Sequence, residues 1–259
     1  MSFIRDVIRL SFETVKLSCQ MKIHYCFLTS FFLLVYGQNV CFAQTANEYY
    51  KEGYCKSASG DYSGAIFFYN KAIALDSANV KSYNNRGIAY YKLFEFVESI
   101  KDFTKAISLR PDFVDAYFNR GIVRGSLGDY NGAIRDFNKT LDLDTTLLAA
   151  YINRGIAEAS VGLFKEALRD FNKIISINPN YTDIYYNRAR VRDKMGEHSG
   201  AIEDYNKAIE LNPNLGDAYL NRGLLKDHIG DFSGACQDWS RAGELDQYGA
   251  YDLIKMYCK

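Results

Sequence analysis

The sequence predicts an all-α fold built from repeated pairs of antiparallel helices. The main observation is self-similarity at a fixed interval, because Asn-Arg-Gly or Asn-Arg-Ala recurs at multiples of 34 residues along the chain. A second observation is that the chain has only three prolines, which favours helices over irregular loops. Repeats of roughly 20 to 50 residues indicate units that bury their apolar faces against one another.

The balanced composition indicates a folded protein with no strong charge of either sign. Apolar residues make up 48% of the 259 residues, and 31 Lys and Arg balance 31 Asp and Glu. A disordered chain has fewer apolar residues, and a nucleic-acid-binding surface has an excess of basic ones. We therefore expect a globular chain without a nucleic-acid partner.

Residues 1–43 are typical of a secretory signal peptide. An apolar run over residues 27–36 follows the basic Lys22 and precedes a small-residue cleavage site that ends at Ala43. The run has about ten residues, whereas a membrane-spanning helix needs about 20. We expect cleavage after Ala43, export to the periplasm or out of the cell, and no stable membrane span afterwards. The alternatives left open are a membrane anchor retained over residues 27–36 and a start at Met21.

Units of 34 residues account for residues 46–249. The six predicted units are 46–79, 80–113, 114–147, 148–181, 182–215 and 216–249. Within a unit, two amphipathic segments flank a turn such as Gly128-Asp129-Tyr130, and a proline ends the second helix of three units. Residues 250–259 are predicted to form a helix that caps the last unit.

Side chains at fixed places in the unit explain why helix pairs stack. Position 4 is Tyr in every unit, position 8 is Gly or Ala, position 20 is Ala or Ser, and position 24 is aromatic. Small residues at 8 and 20 let the two helices approach closely, and the aromatic rings fill the space between units. Position by position, residues 46–249 resemble the tetratricopeptide repeat (TPR) family. The resemblance implies a right-handed superhelical α-solenoid in which the first helices line a concave groove.

One turn departs from the repeat pattern. Phe94 occupies the place that Gly holds in the turns of other units. A left-handed backbone conformation is costly for a residue with a Cβ atom. We therefore expect the turn at Phe94 to be built differently from the others.

Two charged positions of the repeat occur together. Arg holds position 7 and Asp holds position 23 in units two to six, whereas unit one has Glu52 and Phe68 there. We predict a bidentate, partly buried ion pair between the two helices of a unit. The alternative is a row of ligand-binding arginines.

No catalytic or metal-binding motif stands out in the sequence. The two histidines beyond the signal segment, His198 and His228, have no motif around them, and no two cysteines are two residues apart. Phosphate-binding loops and serine-hydrolase motifs are missing as well. We predict that the chain is not an enzyme and needs no cofactor or metal.

In TPR proteins the first helices contact a partner from positions that include 5, 6 and 9, which implies a set of binding residues here. The predicted partner-binding residues are Asn85, Asn119, Asn153, Asn187, Asn221, Phe118, Ile122, Ile152, Ile156 and Tyr186. An amide side chain offers the donor and the acceptor that a peptide unit needs, and apolar neighbours select side chains. The alternative is that the asparagines satisfy backbone groups within the repeat.

These observations predict a non-catalytic scaffold that binds a protein or peptide outside the cytoplasm. Two alternatives of other classes are a structural subunit that self-associates and a module associated with cell-wall glycan. One TPR subtype, which grips an acidic C-terminus with Lys at position 5 and Asn at position 9, is disfavoured because no unit has that pair.

Cys236 and Cys258 are predicted to form a disulfide. The midpoint between them falls in the turn Asp246-Gln247-Tyr248-Gly249, so antiparallel helices about that turn bring the two cysteines side by side. Closing this loop would stabilise the fold by about 3 kcal/mol and would hold a short capping helix in place. The alternative is two free thiols packed as small apolar groups.

Overall fold

The computed structural model describes residues 44–258, and every regular element in that range is an α-helix. The helices are α1 (Ala46–Ala58), α2 (Tyr62–Leu75), α3 (Val80–Lys92), α4 (Phe96–Leu109), α5 (Val114–Ser126), α6 (Tyr130–Leu143), α7 (Leu148–Ser160), α8 (Phe164–Ile177), α9 (Thr182–Lys194), α10 (His198–Leu211), α11 (Gly216–His228), α12 (Phe232–Glu244) and α13 (Ala250–Tyr257). The predicted all-α fold class is confirmed. The predicted signal segment and its cleavage site at Ala43 lie outside the described residues.

Several helices, among them α1, α2, α6 and α12, begin at short polar side chains that satisfy exposed backbone N–H groups. Thr45 and Glu48 form a capping box at α1, in which the Glu48 carboxylate accepts from the Thr45 N–H at 2.7 Å. Asp61, Asp129 and Asp231 each accept a hydrogen bond from the backbone N–H three residues later. These caps fix where the helices begin, at the places where the repeat predicts them.

The chain forms two compact units, an N-terminal unit that ends at Val123 and a C-terminal unit that starts at Arg124. In the N-terminal unit, α1 packs on α2, α2 on α3 and α3 on α4. In the C-terminal unit, consecutive helices pack on one another from α6 to α13. No helix within residues 44–258 has the length and the apolar character that crossing a membrane requires.

Glycines of the first helices lie against aromatic rings of the second helices. A Cβ atom added to Gly53 would lie 2.7 Å from the Tyr69 ring, and one added to Gly87 would lie 2.8 Å from the Phe103 ring. Tyr69 also belongs to a buried cluster with Ala89 of the next helix pair. The aromatic residue at position 24 therefore fills space within its own pair as well as between pairs, which extends the sequence-based prediction.

The turn at Phe94 does not differ from the others, so the prediction of a different conformation is wrong. Phe94 has φ +63°, in the left-handed region that Gly60 occupies with φ +84°. The hydrogen bonding is also the same, since Glu95 N–H donates to Tyr90 O at 2.9 Å as Asp61 N–H does to Lys56 O. The hydrogen bonds of the turn hold Phe94 in this conformation although its side chain is 79% exposed.

The last helix, α13, packs on α12. Cys236 of α12 and Cys258, which follows α13, are joined by a disulfide with their Cα atoms 5.7 Å apart. Trp239 is fully buried, and its ring lies 5.8 Å from that of Tyr257. The structure thus brings together the two cysteines that the sequence predicts as partners, at the end of the chain where the cap was predicted.

Candidate partner-binding surface

In the N-terminal unit, three first helices are joined by a chain of amide hydrogen bonds. Asn119 Nδ2 donates to Asn84 Oδ1 at 3.1 Å, and Asn84 Nδ2 donates to Asn85 Oδ1 at 3.0 Å. Asn85 Nδ2 then donates to the Tyr50 hydroxyl at 3.1 Å. Two of the predicted binding residues, Asn85 and Asn119, are therefore connected by hydrogen bonds through the side chain of Asn84.

In the C-terminal unit, the equivalent asparagines differ in how their amides are satisfied. Asn221 Nδ2 donates to the Tyr186 hydroxyl at 3.0 Å and to Asp217 O at 2.8 Å. Asn153 Nδ2 donates to Ala149 O, one turn earlier on α7, at 2.7 Å. The Asn187 side chain makes no hydrogen bond to any residue in the described range.

A single register relates these contacts. Asn85 bonds to Tyr50, Asn119 to Asn84, and Asn221 to Tyr186, each time across 35 residues. In these three cases the amide at position 6 contacts the side chain at position 5 of the preceding helix pair. The predicted set included Tyr186 but omitted Tyr50 and Asn84. A comparison of position 6 in one repeat with position 5 in the preceding repeat could have found both residues.

The predicted apolar residues lie on the same first helices. Phe118 and Ile122 of the N-terminal unit are partly buried, as is Ile152 of the C-terminal unit, while Ile156 is 41% exposed. The Tyr186 ring packs against that of Tyr205 with 6.1 Å between centroids, and burial raises the pKa of the Tyr186 hydroxyl.

The bidentate pairs between positions 7 and 23 are confirmed in four helix pairs. Arg86 Nε and Nη2 each lie 2.7 Å from an oxygen of Asp102. The other three pairs, with distances of 2.6–2.9 Å, are Arg154–Asp170, Arg188–Asp204 and Arg222–Asp238. Two parallel hydrogen bonds to a largely buried carboxylate make this a structural pair.

The remaining nitrogen of these arginines reaches back to the preceding helix pair. Arg86 Nη1 lies 2.5 Å from Asn70 Oδ1, and Arg120 Nη1 donates to Thr104 Oγ1 at 3.0 Å. The same contact joins Arg154 to Asn138, Arg188 to Asn172, and Arg222 to Asn206. The arginines thus bind consecutive helix pairs together, a role that sequence analysis did not anticipate.

In the C-terminal unit, position 11 places a cation beside the position-23 aspartate of three helix pairs. Arg124 Nη1 lies 2.8 Å from Asp136 Oδ2, and position 11 supplies Arg192 and Lys226 to Asp204 and Asp238. Glu158 holds this position beside Asp170, and its Oε2 has no hydrogen-bond partner among the described residues. Burial and the charge of Asp170 raise the pKa of Glu158 to about 7.

Family models of the tetratricopeptide repeat match residues 80–113, 114–146, 182–215 and 204–237, and a model of the TPR repeat matches residues 56–93. Together these matches cover more than half of the chain. No curated protein matches the sequence significantly.

Solved structures share the fold at low sequence identity. A tetratricopeptide repeat protein from Parabacteroides merdae is 22% identical with a TM-score of 0.61, and the match covers 96% of this chain and 100% of that chain. YrrB, described as a TPR protein with an unusual peptide-binding site, is 20% identical with a TM-score of 0.61, covering 72% and 97%. MamA from Desulfovibrio magneticus is 21% identical with a TM-score of 0.62, covering 64% and 94%.

Proposed function

The chain belongs to the tetratricopeptide repeat family, and on that premise we propose that it is a non-catalytic scaffold with six 34-residue repeats. Its partner is a protein or peptide, bound on the first helices of the helix pairs. The family supports protein binding as the general function. The choice of surface depends on the exposed side chains of this chain.

The observation that carries the proposal is a recurring exposed apolar residue at position 9 of the first helices. Tyr54, Ile156 and Leu224 occupy this position in three different helix pairs and are 43%, 41% and 42% exposed. Apolar side chains left in water at a repeated place are typical of an interaction surface. On the helices of Ile156 and Leu224, the amide side chains at position 6, Asn153 and Asn221, add hydrogen-bonding groups for a partner.

A photo-crosslinking experiment in the source cells tests this surface. We would place p-benzoylphenylalanine at Ile156 or Leu224, and a matched control at Arg169 of the second helix α8, whose side chain is 74% exposed. The proposal expects adducts with another protein from the first two sites and none from the third. Equal adducts at all three sites would contradict it, and adducts between two copies of the chain would favour the self-associating subunit.

We also propose that the protein acts outside the cytoplasm. The short apolar run over residues 27–36 supports export, since it is too short to remain as a membrane span. The disulfide between Cys236 and Cys258 supports it independently, because disulfides persist mainly in oxidising compartments.

A further inference from the structure

Asn187 differs from the other position-6 asparagines because its amide has no partner within the described residues. The register that joins Asn221 to Tyr186 places Asn187 of α9 against position 5 of α7, and α7 and α9 are in contact. That position is Ile152, whose side chain neither donates nor accepts a hydrogen bond. A partly buried amide is left with both of its hydrogen-bonding groups available.

Arg190 stands one turn after Asn187 on the same helix face. It is the one charged residue at position 9, where the other helix pairs have Tyr, Ile or Leu. Its guanidinium lies 5.7 Å from the centre of the Tyr186 ring, and it forms no ion pair with any residue in the described range. Asp193, the next acidic residue along α9, lies 3.3 Å from His198 Nδ1 instead. An exposed cation without a counterion is complementary to a carboxylate.

The facing helix α7 supplies the apolar part of the same region. Ile152 and Ile156 are four residues apart and therefore share one helix face. Ile152 is partly buried and Ile156 is 41% exposed, so the two present a continuous aliphatic surface.

We propose that Asn187, Arg190, Ile152 and Ile156 form one subsite for an extended peptide segment that carries an aliphatic and an acidic residue two positions apart. This inference rests on the proposed scaffold function. The Asn187 amide binds the backbone N–H and C=O of the segment, the two isoleucines receive the aliphatic side chain, and Arg190 binds the carboxylate. The spacing of two follows because alternate side chains of an extended chain point to the same side.

A random 12-residue peptide library displayed on phage, selected on the purified full-length protein, tests the subsite. We expect enriched peptides to carry an aliphatic and an acidic residue two positions apart. Selection on the Arg190→Glu variant should replace the acidic preference by a basic one. The inference would be overturned if the wild type and the Arg190→Glu variant enriched peptides with the same charge preference, or with none.

The affinity of the best enriched peptide gives the second readout. Asn187→Ala should weaken binding about fivefold to tenfold, the loss expected for one or two hydrogen bonds. It should leave the melting temperature unchanged, because the amide has no partner among residues 44–258. Asn180→Ala is the matched control, since this exposed asparagine lies in the turn between α8 and α9 and not on a first helix, and we expect little loss of affinity.

The possible failures are distinguishable. Peptides that bind the wild type and Asn187→Ala equally, but are lost with Leu224→Asp, would remove the subsite and retain the scaffold function. A library that yields no enriched peptide on the wild-type protein would count against the proposed function and the subsite together.

Discussion

Glu158 Oε1 lies 3.8 Å from Arg154 Nε, and that guanidinium is already bound through two nitrogens to Asp170. Burial raises the pKa of Glu158 from about 4.5 to about 7. The folded state therefore binds this proton more tightly than the unfolded state does, so stability falls as the pH rises from about 4.5 to 7. Above pH 7, ionised Glu158 lowers the free energy of unfolding by up to about 3 kcal/mol.

Glu158→Gln should flatten this pH dependence. We expect its melting temperature to fall less between pH 5 and pH 8 than that of the wild type, and Glu158→Arg to be more stable than the wild type at pH 8. Glu210→Gln, which removes an exposed carboxylate paired with Lys207, is the control. Melting curves with the same pH dependence in the wild type and Glu158→Gln would contradict the assignment.

Phe94→Gly should stabilise the protein by about 0.5–1 kcal/mol, because glycine adopts the left-handed conformation without the cost that a Cβ atom brings. Chemical denaturation measures this difference. Phe94→Ala keeps the backbone strain and loses the ring contact with Phe96, so it should not stabilise the protein. If Gly and Ala at this place are equally stabilising, the strain argument is wrong.

Replacing one partner of the Arg86–Asp102 pair should lower the free energy of unfolding more than replacing both partners together does. Arg86→Met leaves a largely buried carboxylate unpaired and is expected to cost about 3 kcal/mol, whereas the double variant with Asp102→Leu should cost less than the sum of the single changes. The exposed pair Lys101–Glu98 serves as the control and should couple by less than about 1 kcal/mol. Strict additivity at Arg86 and Asp102 would contradict the ion-pair role.

The disulfide should be present in the isolated protein and should stabilise it. Peptide mapping without reduction is expected to find a linked Cys236–Cys258 peptide. The double variant Cys236→Ser with Cys258→Ser should lose about 3 kcal/mol of stability. Alkylation of both cysteines in the unreduced protein would show that the bond does not form in solution.

The exported protein should begin at Gln44. Its intact mass measured after secretion should match the chain without residues 1–43, because the apolar run ends before a small-residue cleavage site at Ala43. Blocking that site with Ala43→Arg should leave the signal segment attached. A purified native protein that retains residues 1–43 would contradict the prediction.

Sequence reasoning succeeded where a contact lies inside one repeat. Arg at position 7 and Asp at position 23 are present together or absent together in every repeat. The pairing of Arg86 with Asp102 could therefore be predicted from this co-occurrence alone. The all-α class followed from the same periodicity. These features depend on local spacing, which a repeat displays directly.

Contacts between repeats were harder to predict, because their register is set by packing. The hydrogen bond between Asn119 and Asn84 joins two residues that are 35 positions apart and belong to different repeats, so no pattern within one repeat reveals it. Phe94 was predicted wrongly for a different reason. The steric preference of a single residue predicted a different backbone conformation, but the hydrogen bonds of the turn fix the left-handed one. Glu158 did carry a signal, as the one acidic residue at a position that is otherwise basic or Tyr.

The contact between Trp239 and Tyr257 provides the molecule with its own optical reporter. Trp239 is the single tryptophan of the chain, so near-ultraviolet absorption excites one indole, and that indole is shielded from solvent beside the last helix. Detachment of α13 would expose the indole to water and shift its emission to longer wavelength. Stopped-flow fluorescence can therefore follow the docking of the terminal helix without any dye or label.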